Sequence, residues 1–469
     1  MYRGLKNLVH HFQRWANTGN ITLLDKTYSE TGKSCNRSLS RSLSLDRPTL
    51  SFTKKVCVMK ESEKRELIKE KKELTMTGNY AVAGGVKQTD PDVVCAFPIT
   101  PQTQSVEGLS DVVYEGSLKA AFVNTESELA AISYSISSAL TGARVFTATA
   151  SQGYLLMQEA LPMAVGWRLP ITMLISARAW NAPNLSIWNS WEFTLADHGW
   201  NAIVAENVQE TYDNSIISVM IADRCLYPTM FVHDGFIISH AVHKFWAIPD
   251  EDVLKLVPKK KRHFVDVDNP ASWGSIVTPE YFMEQRYATV KDKGKTLDDM
   301  DDAFAEFGKM TGRHYKQIET RNLDGKNVAF LTMGSMCGNI ASYQVKNSDI
   351  GLIKLRVWRP FPLEKLRKIV ESNNIEKIAV LEKNDAPGAL LPQVSQSIYS
   401  ALSDMGVTIR SYIIGLGGRD VTKDELNYIK KDISKAEGNK PPLYQYVGLR
   451  EKQNKIIGVD EELDFSSHV

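Results

Sequence analysis

The stretch that decides the fold spans residues 121–153 and reads AFVNTESELAAISYSISSALTGARVFTATASQG. Residues 121–123 form a short apolar run and residues 145–149 alternate β-branched side chains with others, so both segments predict strands. Between them, small apolar residues recur at helical spacing up to Gly142, a typical helix stop. A strand–helix–strand unit of this kind predicts a parallel sheet covered by helices, which is an α/β architecture.

Two carboxylates, Glu126 and Glu128, lie where this helix begins. Acidic residues in the first turn complement the helix dipole and often do nothing else, so a purely structural role is the simplest interpretation. For Glu128 a second interpretation stays open, because its helix is almost wholly small and apolar and is therefore expected to be buried. A buried carboxylate needs a partner. Glu128 also follows the carboxyl end of a strand, where ligands bind in open α/β sheets.

Two further predicted strands, at 92–96 and 171–176, also end on polar residues. Thr100 follows the first of them between Pro98 and Pro101, and it can serve simply as a helix N-cap with Pro101 at the first helical position. Its hydroxyl nevertheless lies at a strand end. Arg178 follows the second strand, and a lone arginine usually lies in an ion pair or on the surface. At a strand end, however, its planar guanidinium can bind a carboxylate.

Composition places the chain among ordinary globular proteins. Its 469 residues predict two or three domains, and a net charge of +1 excludes global steering toward nucleic acid or a membrane surface. No apolar run approaches the length of a bilayer-spanning helix. The five cysteines form no CxxC pair, so we expect no local zinc site or iron–sulfur cluster and a reducing, cytoplasmic location. They are Cys35, Cys57, Cys95, Cys225 and Cys337.

The first 58 residues are basic, rich in serine and poor in acids. Such a leader resembles an organellar transit peptide. It is equally compatible with a disordered extension, or with a start codon assigned too far upstream and Met59 as the true first residue. The charged segment at 61–73 predicts a solvated helix to which we assign no function.

The remaining chain predicts two three-layer α/β/α domains with mainly parallel sheets, at 77–245 and 326–425. A connecting region at 246–325, with an exposed helix at 298–307, and a tail at 426–469 complete the chain. We also expect one long apolar helix at 154–166 and one strand at 350–357. His233 has no partner at metal-ligand spacing, so we interpret it as structural and expect no metal site.

A set of motifs in fixed order resembles the α subunit of 2-oxoacid:ferredoxin oxidoreductases, most of all the pyruvate type. The resemblance covers about residues 77–450. Its motifs are FPITPQTQ at 97–104, NTESELAA at 124–131, FTATASQG at 146–153, LISARA at 174–179, HDGF at 233–236, VWRPFP at 357–362 and GLGGRDVT at 415–422.

This resemblance implies a role for each candidate residue. The first domain is the pyrimidine-binding half of a thiamine diphosphate site, and the second is a transketolase C-terminal-like domain. Glu128 falls where the family's glutamate bonds the aminopyrimidine nitrogen, Thr100 where a threonine faces the substrate carbonyl, and Arg178 where an arginine binds the 2-oxoacid carboxylate. The segment Ser151-Gln152-Gly153 shapes the same pocket.

The resemblance also implies partner chains. This sequence lacks the Gly-Asp-Gly motif that holds Mg²⁺ and the diphosphate, so a β subunit is expected to supply that half-site. It lacks clustered cysteines, so γ and δ subunits are expected to carry iron–sulfur clusters that pass electrons to ferredoxin. The expected substrates are a 2-oxoacid and coenzyme A, and no nucleic acid or membrane is involved.

The choice of 2-oxoacid stays open. After Ile187 many relatives carry Asn-Asp-His-Ser-Asp, whereas residues 189–192 here read NSWE, so the substrate can be pyruvate or a bulkier acid. The alternatives are a 2-oxoisovalerate- or 2-oxoglutarate-type oxidoreductase, a transketolase-like transferase, or a non-catalytic scaffold subunit.

Overall fold

The structure is a computed structural model. It describes residues 70–260, 262, 265–266, 268–270, 272, 274–346, 349–385, 387–439 and 444–449. Both large sheets belong to the same compact unit of the chain. The predicted leader at 1–58 lies outside the described residues, as does most of the charged segment at 61–73.

The first large sheet has seven strands in the order β12-β6-β7-β5-β4-β2-β3. All neighbours are parallel except β12 and β6. Its strands are β2 (Val93–Ala96), β3 (Ala121–Asn124), β4 (Val145–Thr149), β5 (Thr172–Ala177), β6 (Asn201–Val204), β7 (Thr229–Asp234) and β12 (Val357–Arg359). The central strands β4, β5 and β7 are buried along their whole length, as apolar runs in a sheet covered on both faces should be.

Helices cover this sheet. The longest, α6, is buried at most of its positions because α1, α9 and β7 all pack against it. The helices of this part are α1 (Gly78–Gln88), α2 (Thr103–Tyr114), α3 (Glu128–Leu140), α4 (Ser151–Leu156), α5 (Leu161–Gly166), α6 (Val208–Cys225), α7 (Asp250–Leu256), α8 (Pro279–Lys293) and α9 (Thr296–Thr311).

The second large sheet has six strands in the order β15-β14-β13-β10-β11-β9, parallel except for the pairing of β11 with β9. Its strands are β9 (Ile318–Arg321), β10 (Val328–Thr332), β11 (Gly351–Leu355), β13 (Lys377–Glu382), β14 (Thr408–Ile413) and β15 (Tyr444–Tyr446). Its helices are α10 (Met336–Gln344), α11 (Leu363–Ser372), α12 (Gln393–Leu402) and α13 (Lys423–Lys435). A separate antiparallel pair joins β1 (Lys72–Thr77) to β8 (Val242–Ala247).

Three predicted elements are wrong. The helix expected at 154–166 is two short helices, α4 and α5, because Pro162 lacks an N–H and is accommodated in the first turn of a new helix. The helix expected to be exposed at 298–307 is the amphipathic α9, whose Met300, Phe304 and Phe307 are buried. The helix expected at 61–73 is wrong at its end, since Lys72 already belongs to β1, and residues 61–69 lie outside the described part of the chain.

The strand expected at 350–357 is also divided. Its first part is β11 in the second sheet, and its continuation, β12, pairs with β6 in the first sheet. Arg356 lies between them, is fully buried, and bonds Glu210 and Glu319 through its guanidinium. The predicted end of the second domain, at residue 425, falls inside α13. The domain boundaries given above remain a prediction.

A buried ion cluster joins the two sheets next to Arg356. Lys354 in β11 lies 2.7 Å from Glu206 and 2.5 Å from Glu210, and its side chain is 1% exposed. Burial alone raises the pKa of Glu210, but Arg356 and Lys354 outweigh it and hold that pKa at about 2. The carboxylate thus stays ionised inside the protein because two cations face it.

Candidate active site

Four adjacent strands, β5, β4, β2 and β3, bring the predicted site residues to one edge of the first sheet. Because these strands are parallel neighbours, their carboxyl ends meet there. Thr100 follows β2, Glu128 follows β3, residues 151–153 follow β4, and Arg178 follows β5. Ligands of open α/β sheets bind at such an edge.

Glu128 is the first residue of α3 and is only 8% exposed. Ser127 caps this helix by accepting a bond from the Ala130 N–H at 3.2 Å, which places the Glu128 side chain in the first turn. A Cβ at Gly153 would lie 2.5 Å from both Glu128 Oε1 and Thr149 Oγ1. Because Gly153 has no side chain, the buried Glu128 carboxylate can occupy the space that a Cβ would fill. Glu126, two residues earlier, is exposed.

We expect Gly153→Ala to displace the Glu128 carboxylate, and thereby to weaken by about tenfold or more the binding of the thiamine diphosphate that the resemblance implies. Isothermal titration of the purified complex measures this change. Gly166→Ala is the matched control, because a Cβ at this other helical glycine meets no atom within 4 Å. Equal affinities of the two variants would contradict the placement of Glu128.

Arg178 is 6% exposed and bonds neutral groups. It donates from Nη1 to the Thr100 carbonyl at 2.5 Å and from Nη2 to the Gln152 side-chain oxygen, while Nε has no partner in the described part of the chain. Burial lowers the pKa of this guanidinium, and the charge of Glu128 acts in the opposite direction. A buried cation with an unused N–H is suited to bind an anion.

The N-cap prediction for Thr100 is wrong. Helix α2 begins at Thr103 with Gln102 at its N-cap, and the Thr100–Pro101 peptide is cis. The preceding turn is closed by the Gln102 N–H, which bonds the Ile99 carbonyl at 3.0 Å. Since the Thr100 carbonyl accepts from Arg178, its backbone rather than its hydroxyl contacts the other site residues. The Thr100 side chain is exposed at the sheet edge.

Ser151 makes the sharp turn from β4 into α4. It has a φ of +39°, which is uncommon for a residue with a side chain, and its hydroxyl donates to the Ala179 carbonyl at 2.8 Å. This bond joins the turn after β4 to the segment that follows Arg178. The hydroxyls of Thr147 and Thr149 are buried and have no partner among the described residues.

The segment 189–192, where the sequence departs from the family pattern, is buried against the second sheet. Glu192 accepts a bond from the Trp180 N–H at 3.2 Å, but its other carboxylate oxygen has no partner in the described chain. Burial therefore raises the pKa of Glu192 from an ordinary value near 4.5 to about 7. Neither the partner nor the burial of this residue was evident from its sequence neighbours.

This raised pKa predicts a pH-dependent stability. Well below pH 4.5 the Glu192 carboxyl is neutral in both the folded and the unfolded chain, so it does not make the free energy of unfolding depend on pH. As the pH rises toward 7, this carboxyl ionises first in the unfolded chain, so the free energy of unfolding falls by about 3 kcal/mol. Glu192→Gln removes the titration. Between pH 4.5 and 7 we expect the melting temperature of the native chain to fall relative to that of Glu192→Gln. A difference between the two melting temperatures that does not change with pH would contradict this account.

Sequence reasoning missed Thr149, Asp234 and Lys383. Thr149 could have been found, because it is the last residue of a strand that leads into the Ser151 turn. Asp234 is the last residue of β7, but only the structure places Lys383 of the second sheet 3.2 Å from it. His233 is fully buried, and its ring nitrogens lie 2.6 Å from the Ser176 hydroxyl and 3.0 Å from that of Thr211, in agreement with a structural role.

Comparison with known proteins places the chain. A family model described as pyruvate flavodoxin/ferredoxin oxidoreductase, thiamine diphosphate-binding, matches residues 84–301, and one for pyruvate:ferredoxin oxidoreductase core domain II matches residues 327–426. Pyruvate synthase subunit PorA of Pyrococcus furiosus is 38% identical over 391 residues, which cover 80% of this chain and 97% of PorA. The chain belongs to the pyruvate:ferredoxin oxidoreductase family. The resemblance predicted from the ordered motifs is thus confirmed.

The chain is also similar to one further relative and to one solved structure. The ketoisovalerate oxidoreductase subunit VorA of Pyrococcus horikoshii is 35% identical, with 77% of this chain and 93% of VorA covered. A solved 2-oxoglutarate:ferredoxin oxidoreductase from Magnetococcus marinus, with 2-oxoglutarate, coenzyme A and succinyl-CoA bound, superposes with a TM-score of 0.61 at 18% identity. That match covers 78% of this chain and 66% of the other, and it confirms the α/β fold class.

The described part of the chain shows neither a metal-ligand cluster nor a membrane-spanning helix. Within the described ranges, no group of three or more His, Cys, Asp or Glu side chains is arranged to hold a metal ion. None of the described helices is long and apolar enough to cross a membrane.

Proposed function

We propose that this chain is the α subunit of a thiamine diphosphate-dependent 2-oxoacid:ferredoxin oxidoreductase whose substrate is pyruvate. The complete assembly converts a 2-oxoacid, coenzyme A and oxidised ferredoxin to an acyl-CoA, carbon dioxide and reduced ferredoxin. One observation carries the proposal: two buried ionisable groups, Glu128 and Arg178, lie at one sheet edge, and Arg178 keeps an unused donor. The names of the relatives, which include pyruvate synthase subunits, support the choice of pyruvate.

The residues at this edge fit a thiamine ring. The absence of a side chain at Gly153 lets the Glu128 carboxylate lie at this edge, and the buried Thr149 hydroxyl lacks a partner within the described chain. We assign Glu128, Thr100 and residues 151–153 to the binding of thiamine diphosphate. When bound, this cofactor supplies a nucleophilic carbon and accommodates the electron pair that decarboxylation releases.

Each candidate site residue of this chain then has a distinct role. The Glu128 carboxylate holds a proton against a ring nitrogen of the cofactor, and burial keeps water from competing for that proton. Arg178 binds the carboxylate of the 2-oxoacid with its planar fork. The Thr100 carbonyl and the Gln152 side chain orient the guanidinium, because each already accepts one of its N–H groups.

The proposal requires partner chains. The sequence lacks the Gly-Asp-Gly motif for the diphosphate and Mg²⁺ and lacks clustered cysteines for iron–sulfur centres. We infer that a β subunit supplies the first and that γ and δ subunits supply the second. The exposed Thr100 side chain fits an edge that a second chain covers. Five scattered cysteines support a reducing, cytoplasmic location.

The test is to purify the complex that forms around the full chain and to identify its subunits by mass spectrometry. With pyruvate, coenzyme A and thiamine diphosphate, the complex is expected to reduce ferredoxin or methyl viologen. Parallel assays with 2-oxoisovalerate and 2-oxoglutarate decide the preferred acid. Acyl or ketol transfer without reduction of an acceptor would overturn the proposal in favour of a transketolase-like enzyme.

A further inference from the structure

A buried charged pair lies between the two sheets, directly behind the candidate site. The Asp234 carboxylate, at the end of β7, is fully buried and accepts bonds from Lys383 Nζ at 3.2 Å and Trp191 Nε1 at 2.9 Å. The Ser335 N–H at 3.0 Å and the Ser335 hydroxyl complete its partners. Lys383 follows β13 of the second sheet, and its ammonium also donates to the Ser335 hydroxyl at 2.9 Å.

The turn after Asp234 fits closely between two parts of the candidate site. The Gly235 N–H donates to the Ala177 carbonyl at 2.9 Å, and Ala177 directly precedes Arg178. A Cβ at Gly235 would lie 2.5 Å from that carbonyl oxygen and 2.9 Å from Cγ of Pro101. A displacement of Asp234 therefore displaces the backbone that carries Arg178.

The same lysine holds the loop after Arg178. The Lys383 carbonyl accepts bonds from the Trp191 N–H at 2.9 Å and from the Ser190 hydroxyl at 2.6 Å. The other end of the loop is closed by the Ala179 N–H, which donates to the Trp188 carbonyl at 3.0 Å. Contacts with the second sheet therefore help to hold the loop in place, because residues 178–191 contain neither a helix nor a strand. The Ser151 hydroxyl, which bonds the Ala179 carbonyl, holds the loop from the first sheet.

We propose that Lys383 is a positioning residue through which the second sheet sets the geometry of the 2-oxoacid carboxylate site. It acts on Arg178 through Asp234, and on the loop at 179–192 through Trp191, whose Nε1–H donates to the same Asp234 carboxylate. The bonds to the Lys383 carbonyl remain in any Lys383 variant. The inference rests on the proposed function, since it presumes that Arg178 binds the substrate. It assigns to the second sheet a part in substrate recognition although none of the candidate site residues named above lies in that sheet.

The test compares Lys383→Met with Lys354→Met in the purified complex. Lys354 is the matched control, because it is equally buried and also pairs with carboxylates, Glu206 and Glu210, in the other inter-sheet cluster. We expect both variants to lower the melting temperature. Only Lys383→Met is expected to raise the KM for pyruvate, by about tenfold, with kcat changed much less. Equal KM values for the two variants would overturn the inference.

Two further variants distinguish a positioning role of Lys383 from a purely structural one. Asp234→Asn combined with Lys383→Met removes the unpaired buried charge, so it is expected to recover stability but to keep the raised KM. Recovery of a native KM would show that the unpaired carboxylate, not the loss of Lys383, caused the effect, and would overturn the inference. If Lys383→Met does not fold, Trp191→Phe removes one donor to Asp234 and is expected to raise the KM several-fold.

Hydrogen exchange tests the same inference without turnover. Peptides that cover residues 179–194 are expected to exchange faster in Lys383→Met than in the native complex, and to be unchanged in Lys354→Met. If the native complex reduces no acceptor with any 2-oxoacid, the proposed function fails while this measurement still stands. If the native complex is active but exchange at 179–194 is unaffected by Lys383→Met, the inference alone fails.

Discussion

Replacement of Glu128 by glutamine is expected to lower the turnover of pyruvate by about a hundred- to ten-thousand-fold. Glutamine keeps the shape of the side chain and can still form a hydrogen bond, but it cannot hold a proton that it later returns. Because Glu128 is only 8% exposed, bulk solvent has little access to the carboxylate to take over that task. Stopped-flow reduction of the acceptor by the purified complex measures the loss.

Glu126→Gln is the matched control for this experiment. It makes the same chemical change two residues earlier in the chain, on a side chain that is exposed. We expect it to leave turnover within about twofold of the native complex, since surface substitutions of this kind have small effects. Native turnover in Glu128→Gln, with subunit assembly intact, would favour the non-catalytic scaffold instead.

Replacement of Arg178 by methionine is expected to raise the KM for pyruvate by roughly a hundredfold, which corresponds to about 3 kcal/mol of lost binding. The guanidinium is buried and its Nε has no partner among the described residues, so we propose that the substrate carboxylate binds there. Methionine fills a similar volume without the charge. Arg178→Lys is expected to recover only part of the affinity, because an ammonium cannot bind a carboxylate with two parallel N–H groups.

Arg168→Met is the control for the Arg178 variant. Arg168 precedes β5, whereas Arg178 follows it, so the two arginines lie at opposite ends of one strand. Arg168 is partly exposed and pairs with Asp292, away from the binding edge. We expect its loss to change stability without changing the KM for pyruvate. An unchanged KM in Arg178→Met would show that another residue binds the substrate carboxylate.

The prediction from sequence succeeded where structure depends on neighbours along the chain. Periodicity and stop signals over 121–153 correctly predicted β3, α3 and β4, and Glu128 at the end of a strand followed from them. It failed where a local signal was misread: Pro162 divides the helix expected at 154–166, and Thr100 does not cap α2. The site residues could be named because parallel strands direct their carboxyl ends to one edge.

The amino-acid sequence by itself determined the strand–helix alternation and the strand ends at which Glu128 and Arg178 lie, because hydrophobic period and turn residues act over a few positions. Only the tertiary structure decided that β12, which follows a strand of the second sheet, pairs with the first sheet. It also decided that Glu192 is buried with an unpaired oxygen, and that Lys383 contacts Asp234, which lies 149 positions away in the chain. These features arise from packing between distant segments, in which burial and ion pairing select contacts that no local pattern encodes.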